Sequence, residues 1–168
     1  AGSVLMVTKE GSRPILIEIQ ALVATSQGSA RRISVGIDSN RLAMLLAVLN
    51  RHGGVQCYDN DIFINVVGGV KITETGSDLA VLLAIVSSLK DVAIPSQLVC
   101  FGEVGLAGEI RPVPNGQERL QEAIKHGMTT AIIPKANAPK SLKNMTIFPI
   151  STISDLIDIV RDEAFARC

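Results

Sequence analysis

One segment restricts the fold more than any other: "GSDLAVLLAIVSSL", residues 76–89. Its spacing predicts a helix over about 77–90, and apolar residues cover nearly every face of it. Such a helix must be buried on most sides. The longest apolar run, "LAVLLAIV" at 79–86, is too short to span a bilayer, which needs roughly 20 residues. The chain therefore reads as globular and not as a membrane protein. With 168 residues it has room for one domain with a substantial core. The core is aliphatic, since there is no Trp, one Tyr and four Phe.

Strands and helices are legible on either side of that segment. Residues 3–8 and 14–24 read as a strand–turn–strand unit, and "RISVGI" as a third strand. Asp38 is placed as the N-cap of a helix over "SNRLAMLLAVLNRHGG" that stops at Gly53-Gly54. "DIFINVV" is a strand and "VKI" a short extended piece. "QLVCFGEVGLAGEIRPV" reads as two strands joined by a turn at Gly105–Gly108. "NGQERLQEAIKHG" is an amphipathic helix, "TTAIIP" a buried strand, "NAPKSLKN" a helical turn or loop, and "MTIFPI" a last strand. Ser151 or Thr152 caps a final helix, "ISDLIDIVRDEAFA". The pattern implies an α+β fold (α/β, two layers) as a single domain over residues 1–168. The opening "AGSVLMV" is already strand-like, which reads as part of a longer chain.

Sixteen basic residues balance sixteen acidic ones. Global charge thus gives no reason to expect nucleic acid, and such a role needs a local patch. Cys57, Cys100 and Cys168 are widely spaced, which argues for a reducing compartment and against a disulfide framework. His52 and Cys57 are the nearest His/Cys pair, with no second ligand pair, so no metal site is expected. "NVVGGVKIT" and "FGEVGLAGE" are glycine-rich, but neither fits the P-loop or the dinucleotide pattern. Glu74 and Asp78 flank Ser77, and Glu103 and Glu109 flank the hairpin turn; solvated or capping roles are expected for these carboxylates and for His52 and His126.

Ser77, at a helix N-terminus with Lys71 nearby, raises a Ser–Lys nucleophile. That chemistry needs a desolvated lysine to accept the serine proton and backbone donors for an oxyanion. The helix entrance can supply the donors. Lys71 precedes an exposed-looking Thr-Glu-Thr run, which favours N-capping by Thr75 or Ser77 instead.

The order of motifs resembles a known family. "GSDLAVLLAIVSSL" followed by "FGEVGLAGEIRPVPNGQERLQEAIKHGMTTAIIPKAN" resembles the proteolytic domain of the Lon protease family. A closer resemblance is to the Lon-like C-terminal domain of the RadA (Sms) family of bacterial DNA-repair proteins. It is carried by "SRPILIEIQALV", "GIDSNRLAMLLAVL", "NVVGGVKITE" and "FGEVGLAGEIRPV", which together span nearly the whole chain.

Carrying the Lon motifs across places the family nucleophile at Gly76 and the family lysine at Gln117. Ser77 stands one residue late, a rotation of about 100° on a helix. A glutamine amide cannot take a proton as a neutral lysine does, and Arg119 does not deprotonate. The resemblance therefore implies no catalytic residue here and a protease fold kept as a scaffold. An active Ser–Lys peptidase, with Ser77 served by Lys71 or Lys125, is the competing reading.

The resemblance further implies a cytoplasmic DNA-repair and recombination ATPase whose zinc-binding and RecA-like regions lie outside this chain. ATP, Mg and Zn belong to those regions, and no cofactor is expected here. Implied partners are further copies of the protein, in a hexameric ring, and DNA, bound weakly by the isolated domain. Candidate DNA contacts are Arg31, Arg32, Arg41, Lys71 and Arg111, with Arg51, Lys135, Lys140 and Lys143 as lesser ones. Weak patches repeated around a ring would sum. An oligomerisation module without nucleic-acid contact is the third reading.

Overall fold

The computed structural model describes residues 1–167, with side chains to Ala166; Cys168, counted among the cysteines above, lies outside the described residues. The chain opens with a hairpin of β1 (Ser3–Glu10) and β2 (Arg13–Thr25). Then come β3 (Arg32–Val35), α1 (Ser39–Gly53), β4 (Asn60–Val66) and α2 (Asp78–Lys90). The second half supplies β5 (Leu98–Cys100), β6 (Glu103–Val104), β7 (Ile110–Arg111), α3 (Gly116–Lys125), β8 (Thr130–Pro134), β9 (Thr146–Ile150) and α4 (Ile153–Asp162).

Seven strands form one mixed sheet in the order β3-β4-β2-β1-β5-β8-β9. The pairs β1–β2 and β2–β4 are antiparallel, and the other four are parallel. Period-two alternation divides the strands between two cores. Val4 and Met6 of β1, with Leu98 and Cys100 of β5, face α1, α2 and α4. Val7 and Val99 face the opposite side and pack with Leu120 and Ala123 of α3. The all-apolar character of α2 has a direct cause: it lies on β1 and β2 while α1 and α4 cover it from outside. Every residue from Asp78 to Ser87 is buried.

The two-layer expectation holds for only part of the molecule. Over β5, β8, β1 and the first half of β2 the second face is covered too, by α3 lying on β1 and β2 and by Val113, Met128 and Met145 from the connecting segments. Over the second half of β2, β4 and β3 that face is bare, and Leu22, Ile33 and Val35 are exposed. Segment 97–113 is not one hairpin. β5 joins the large sheet between β1 and β8, and only β6 and β7 pair as a hairpin, closed by Gly105 and Gly108. Gly102 makes the break: its φ is +154°, and a side chain there would press on Leu79 and Pro134.

"VKI" joins no sheet ladder, and Ile72 donates its N–H to the Gly36 carbonyl at 2.8 Å. Asp38 caps α1 as expected, accepting from the Arg41 N–H at 3.0 Å. Thr152 caps α4 through a reciprocal box with Asp155. The last helix ends earlier than its pattern, at Asp162, because Glu163, with φ of 47°, turns the chain into a separate short turn over Ala164–Arg167.

Candidate functional site

The strand directions single out one end of the sheet. β1, β3, β4, β5, β8 and β9 all run the same way, so their C-terminal ends lie together. The crossover from β4 to β5 carries α2 on one face, and that from β5 to β8 carries α3 on the other. In open α/β sheets ligands bind in the crevice outside the carboxyl ends of the strands. Here the crevice lies beyond β5, between Gly76 at the entrance of α2 and Arg119 in the first turns of α3.

The chain's own side chains occupy it. Arg119 is 3% exposed. Its Nη2 lies 2.8 Å from Glu74 Oε1, its Nη1 donates to the Val7 carbonyl at 2.8 Å, and its Nε donates to the Pro114 carbonyl at 2.9 Å. The guanidinium carbon stands 5.8 Å from the Phe101 ring centre. Glu74 Oε2 accepts from the Thr8 hydroxyl at 2.6 Å and from the Lys9 N–H at 3.1 Å. Burial alone would push the Glu74 carboxyl up; the hydrogen bonds from Thr8 and Arg119 outweigh it and hold the group below its ordinary value. The solvated role expected for Glu74 is thus replaced by a half-buried pair.

Gly76 is buried at this point. A side chain there would begin far inside contact distance of Glu74 Oε1 and 3.1 Å from Val113 Cγ1. Ser77 is 4% exposed, and its hydroxyl donates to the Glu74 carbonyl at 3.1 Å. Neither Ser77 nor Thr75 caps α2: Ser77 is helical and makes no capping bond, while the Thr75 hydroxyl turns to Glu103. The Leu79 N–H is met by the Gly102 carbonyl instead, at 3.0 Å. Gln117 is exposed. Lys125 sits at the far end of α3, about 13 Å along the helix from Gly116.

Asp78 also departs from expectation. It is 1% exposed, pairs with Arg41 through both carboxylate oxygens and accepts from the Val104 N–H at 3.0 Å. Burial pushes its carboxyl up, against the pull of Arg41, and the Asp78 hydrogen bond raises Arg41 in turn. The reason for both misplacements is the same. The partners lie 37 residues apart for Asp78 and 45 for Glu74, beyond any local pattern. A local signal did exist for Arg119: with Gly116, Leu120 and Ala123 it falls on the buried stripe of α3, where a charge requires a partner.

The candidate DNA contacts are divided between the two ends of the sheet. Arg31 and Arg32 stand where β3 begins, whereas Arg41, Lys71 and Arg111 stand near the strand C-termini. Arg31 bonds Asp61 and lies over Phe63. Arg32 donates to the Cys57 and Asn60 carbonyls. Arg111 lies between Glu103 and Glu109. Lys71 is exposed and, among the described residues, is the one of the five without a hydrogen-bond or ion-pair partner. Arg51, Lys140 and Lys143 are exposed in α1 and in the loop before β9. Lys135 opens a short turn after β8. His126 follows the capping expectation, with Nδ1 2.9 Å from the Glu122 carbonyl oxygen.

Comparison with known proteins gives two findings. The chain is similar to proteins named DNA repair protein RadA. The Escherichia coli K12 protein is 59% identical over 164 residues, and the Aquifex aeolicus protein 44% over 160. The Mycolicibacterium smegmatis protein is 40% identical over 167 residues. These alignments cover 96%, 95% and 98% of this chain but only 36%, 36% and 35% of the relatives, so the chain spans about a third of their length. The other finding concerns a family whose name refers to magnesium chelation. Among the described residues no group of three His, Cys, Asp or Glu is placed to hold a metal ion, and no helix is long and apolar enough to cross a membrane. Residues 31–137, most of the fold from β3 to the turn after β8, match that family, and the chain belongs to it: the family described as subunit ChlI of Mg-chelatase.

Proposed function

We propose that this chain is a non-catalytic, Lon-like scaffold domain of a RadA-type DNA-repair protein. The observation that carries this reading is the filled crevice. Glu74 and Arg119 occupy the strand-end site where a protease of this ancestry would work. Gly76 has no room for a nucleophile, and Ser77 spends its hydroxyl on a carbonyl. The names of the relatives support the repair role, and the motif order supports the Lon-like ancestry.

In the longer protein this domain assembles into a cytoplasmic ring, hexameric by family resemblance, and contributes phosphate contacts to DNA. The ATP, magnesium and zinc chemistry belongs to the two-thirds of the relatives' length that this chain does not span. This chain offers no P-loop pattern for the nucleotide. Its surface nearest to a DNA contact is the strand-end face bearing Lys71, whose ammonium has no partner among the described residues.

Two measurements test the reading. A fluorogenic peptide assay, with Ser77→Ala as control, should give no Ser77-dependent turnover; any such turnover overturns it. Duplex and branched DNA titrations should give binding that weakens steeply with salt. Salt-independent or absent binding removes the DNA part and leaves an assembly module.

A further inference from the structure

The bare face of β3, β4 and the second half of β2, beside the part of β2 that α3 covers, is ordered like the inside of a sandwich. On it Leu22, Phe63 and Ile33 lie side by side across three strands, because Leu22 is in register with Phe63 and Ile33 with Phe63. Val35 and Asn65 form the next row. Leu22, Ile33 and Val35 are 58%, 46% and 54% exposed, and the shallow groove over them holds about 490 Å³. Aligned apolar rows on a sheet are what a second sheet packs against, about 10 Å away.

Charge placement on this face selects the occupant. At one end stands Arg31, over Phe63, with 65% of its side chain exposed although it bonds Asp61. At the other end stands Glu18 of β2, whose carboxylate, among the described residues, accepts from Ser3 and Gln20 and has no cation beside it. The two lie on opposite sides of β4, five residues apart along it, from Ile62 beside Arg31 to Val67, just past its end, beside Glu18, roughly 16 Å along the strand direction. The midpoint of that diagonal falls on β4 between Phe63 and Asn65. A two-fold axis there sets Arg31 of one copy over Glu18 of the other, twice, with the apolar rows between. A self-complementary patch of this kind is what an isologous contact requires. The chain's formal net charge of zero lets two copies approach without net repulsion.

We infer that this face is the contact of a two-fold pair with a second copy of the chain, packed sheet to sheet. The pair closes on itself, so it neither needs nor builds the ring proposed above.

Sedimentation equilibrium on the 168-residue chain tests it. A monomer–dimer equilibrium is expected, with the dissociation constant raised at least about 100-fold in Leu22→Asp/Ile33→Asp. Both sites are exposed in the single copy, and an unchanged circular dichroism spectrum confirms that the variant folds. With Cys168 replaced by alanine, Asn65→Cys beside the axis should be joined to its copy by a short bismaleimide that spans the roughly 10 Å between the sheets, and Glu18→Cys, far from the axis, should not. A chain that stays monomeric overturns the inference. So does a double variant that still dimerises or keeps a hexameric mass, or an Asn65→Cys chain that does not cross-link.

Discussion

Glu74 Oε1 lies 2.8 Å from the Arg119 guanidinium, and the same oxygen stands where a side chain on Gly76 would have to begin. One carboxylate thus does two things. It neutralises a buried cation, and it closes the space a nucleophile would need.

Arg119→Met should destabilise the fold by about 3 kcal/mol, because it leaves Glu74 half-buried without its cation and the Val7 and Pro114 carbonyls without a donor. Urea unfolding measures it. Arg119→Lys should recover only a small part, since an ammonium cannot reach three acceptors spread around a planar fork.

Restoring the residue types of a Ser–Lys dyad should restore nothing. Gly76→Ser/Gln117→Lys is expected to give no peptide turnover and to cost about 1–3 kcal/mol from overpacking against Glu74 and Val113. Measurable turnover in that variant would show that the crevice opens in solution.

The acid limb of the stability curve should depend on Glu74. Its carboxyl is held below the ordinary 4.5 in the folded state. Its contribution is therefore complete above pH 4.5 and is lost as pH falls through the folded value. Asp78 works in the opposite sense, because burial raises it above 3.8 and its protonation favours the fold as pH drops. Glu74→Gln should flatten the loss of stability below pH 4.5, whereas Asp78→Asn should steepen it, as read from thermal melts between about pH 3 and 6.

Much of the element order was readable from residues in a row. The apolar α2, the Asp38 cap and the alternation in β1 and β2 are local patterns, and each appears where the pattern puts it. The crevice was not readable, because it is made by residues from β1, the approach to α2, and α3, which come together only through the sheet order. The helical cover on the sheet's other face was missed for a related reason. The stripe of Leu120 and Ala123 on α3 says that one side is buried, but not which face of the sheet buries it.

Lys71 and Arg32 should behave differently in DNA binding. Lys71→Ala is expected to weaken binding and lower the salt slope by about 0.9 for one phosphate contact. Arg32→Ala should chiefly loosen the turn before β4, since its guanidinium holds the Cys57 and Asn60 carbonyls. Fluorescence anisotropy across a salt series, beside thermal melts of each variant, separates the two.

Ser87→Ala should cost about 1–3 kcal/mol. Its hydroxyl, wholly buried, accepts from the Gly2 N–H at 2.8 Å and donates to the Val92 carbonyl. Hydrogen exchange at the start of β1 should rise in the variant.

That Gly2–Ser87 bond has a mechanical meaning. Tension applied at Ala1 meets no slack. It passes at once into the last turn of α2, and along β1 into eight residue pairs with β2, loaded in shear rather than peeled one by one. A domain held this way moves as a stiff body on whatever it is joined to, and yields to force only by breaking its central strand from both neighbours.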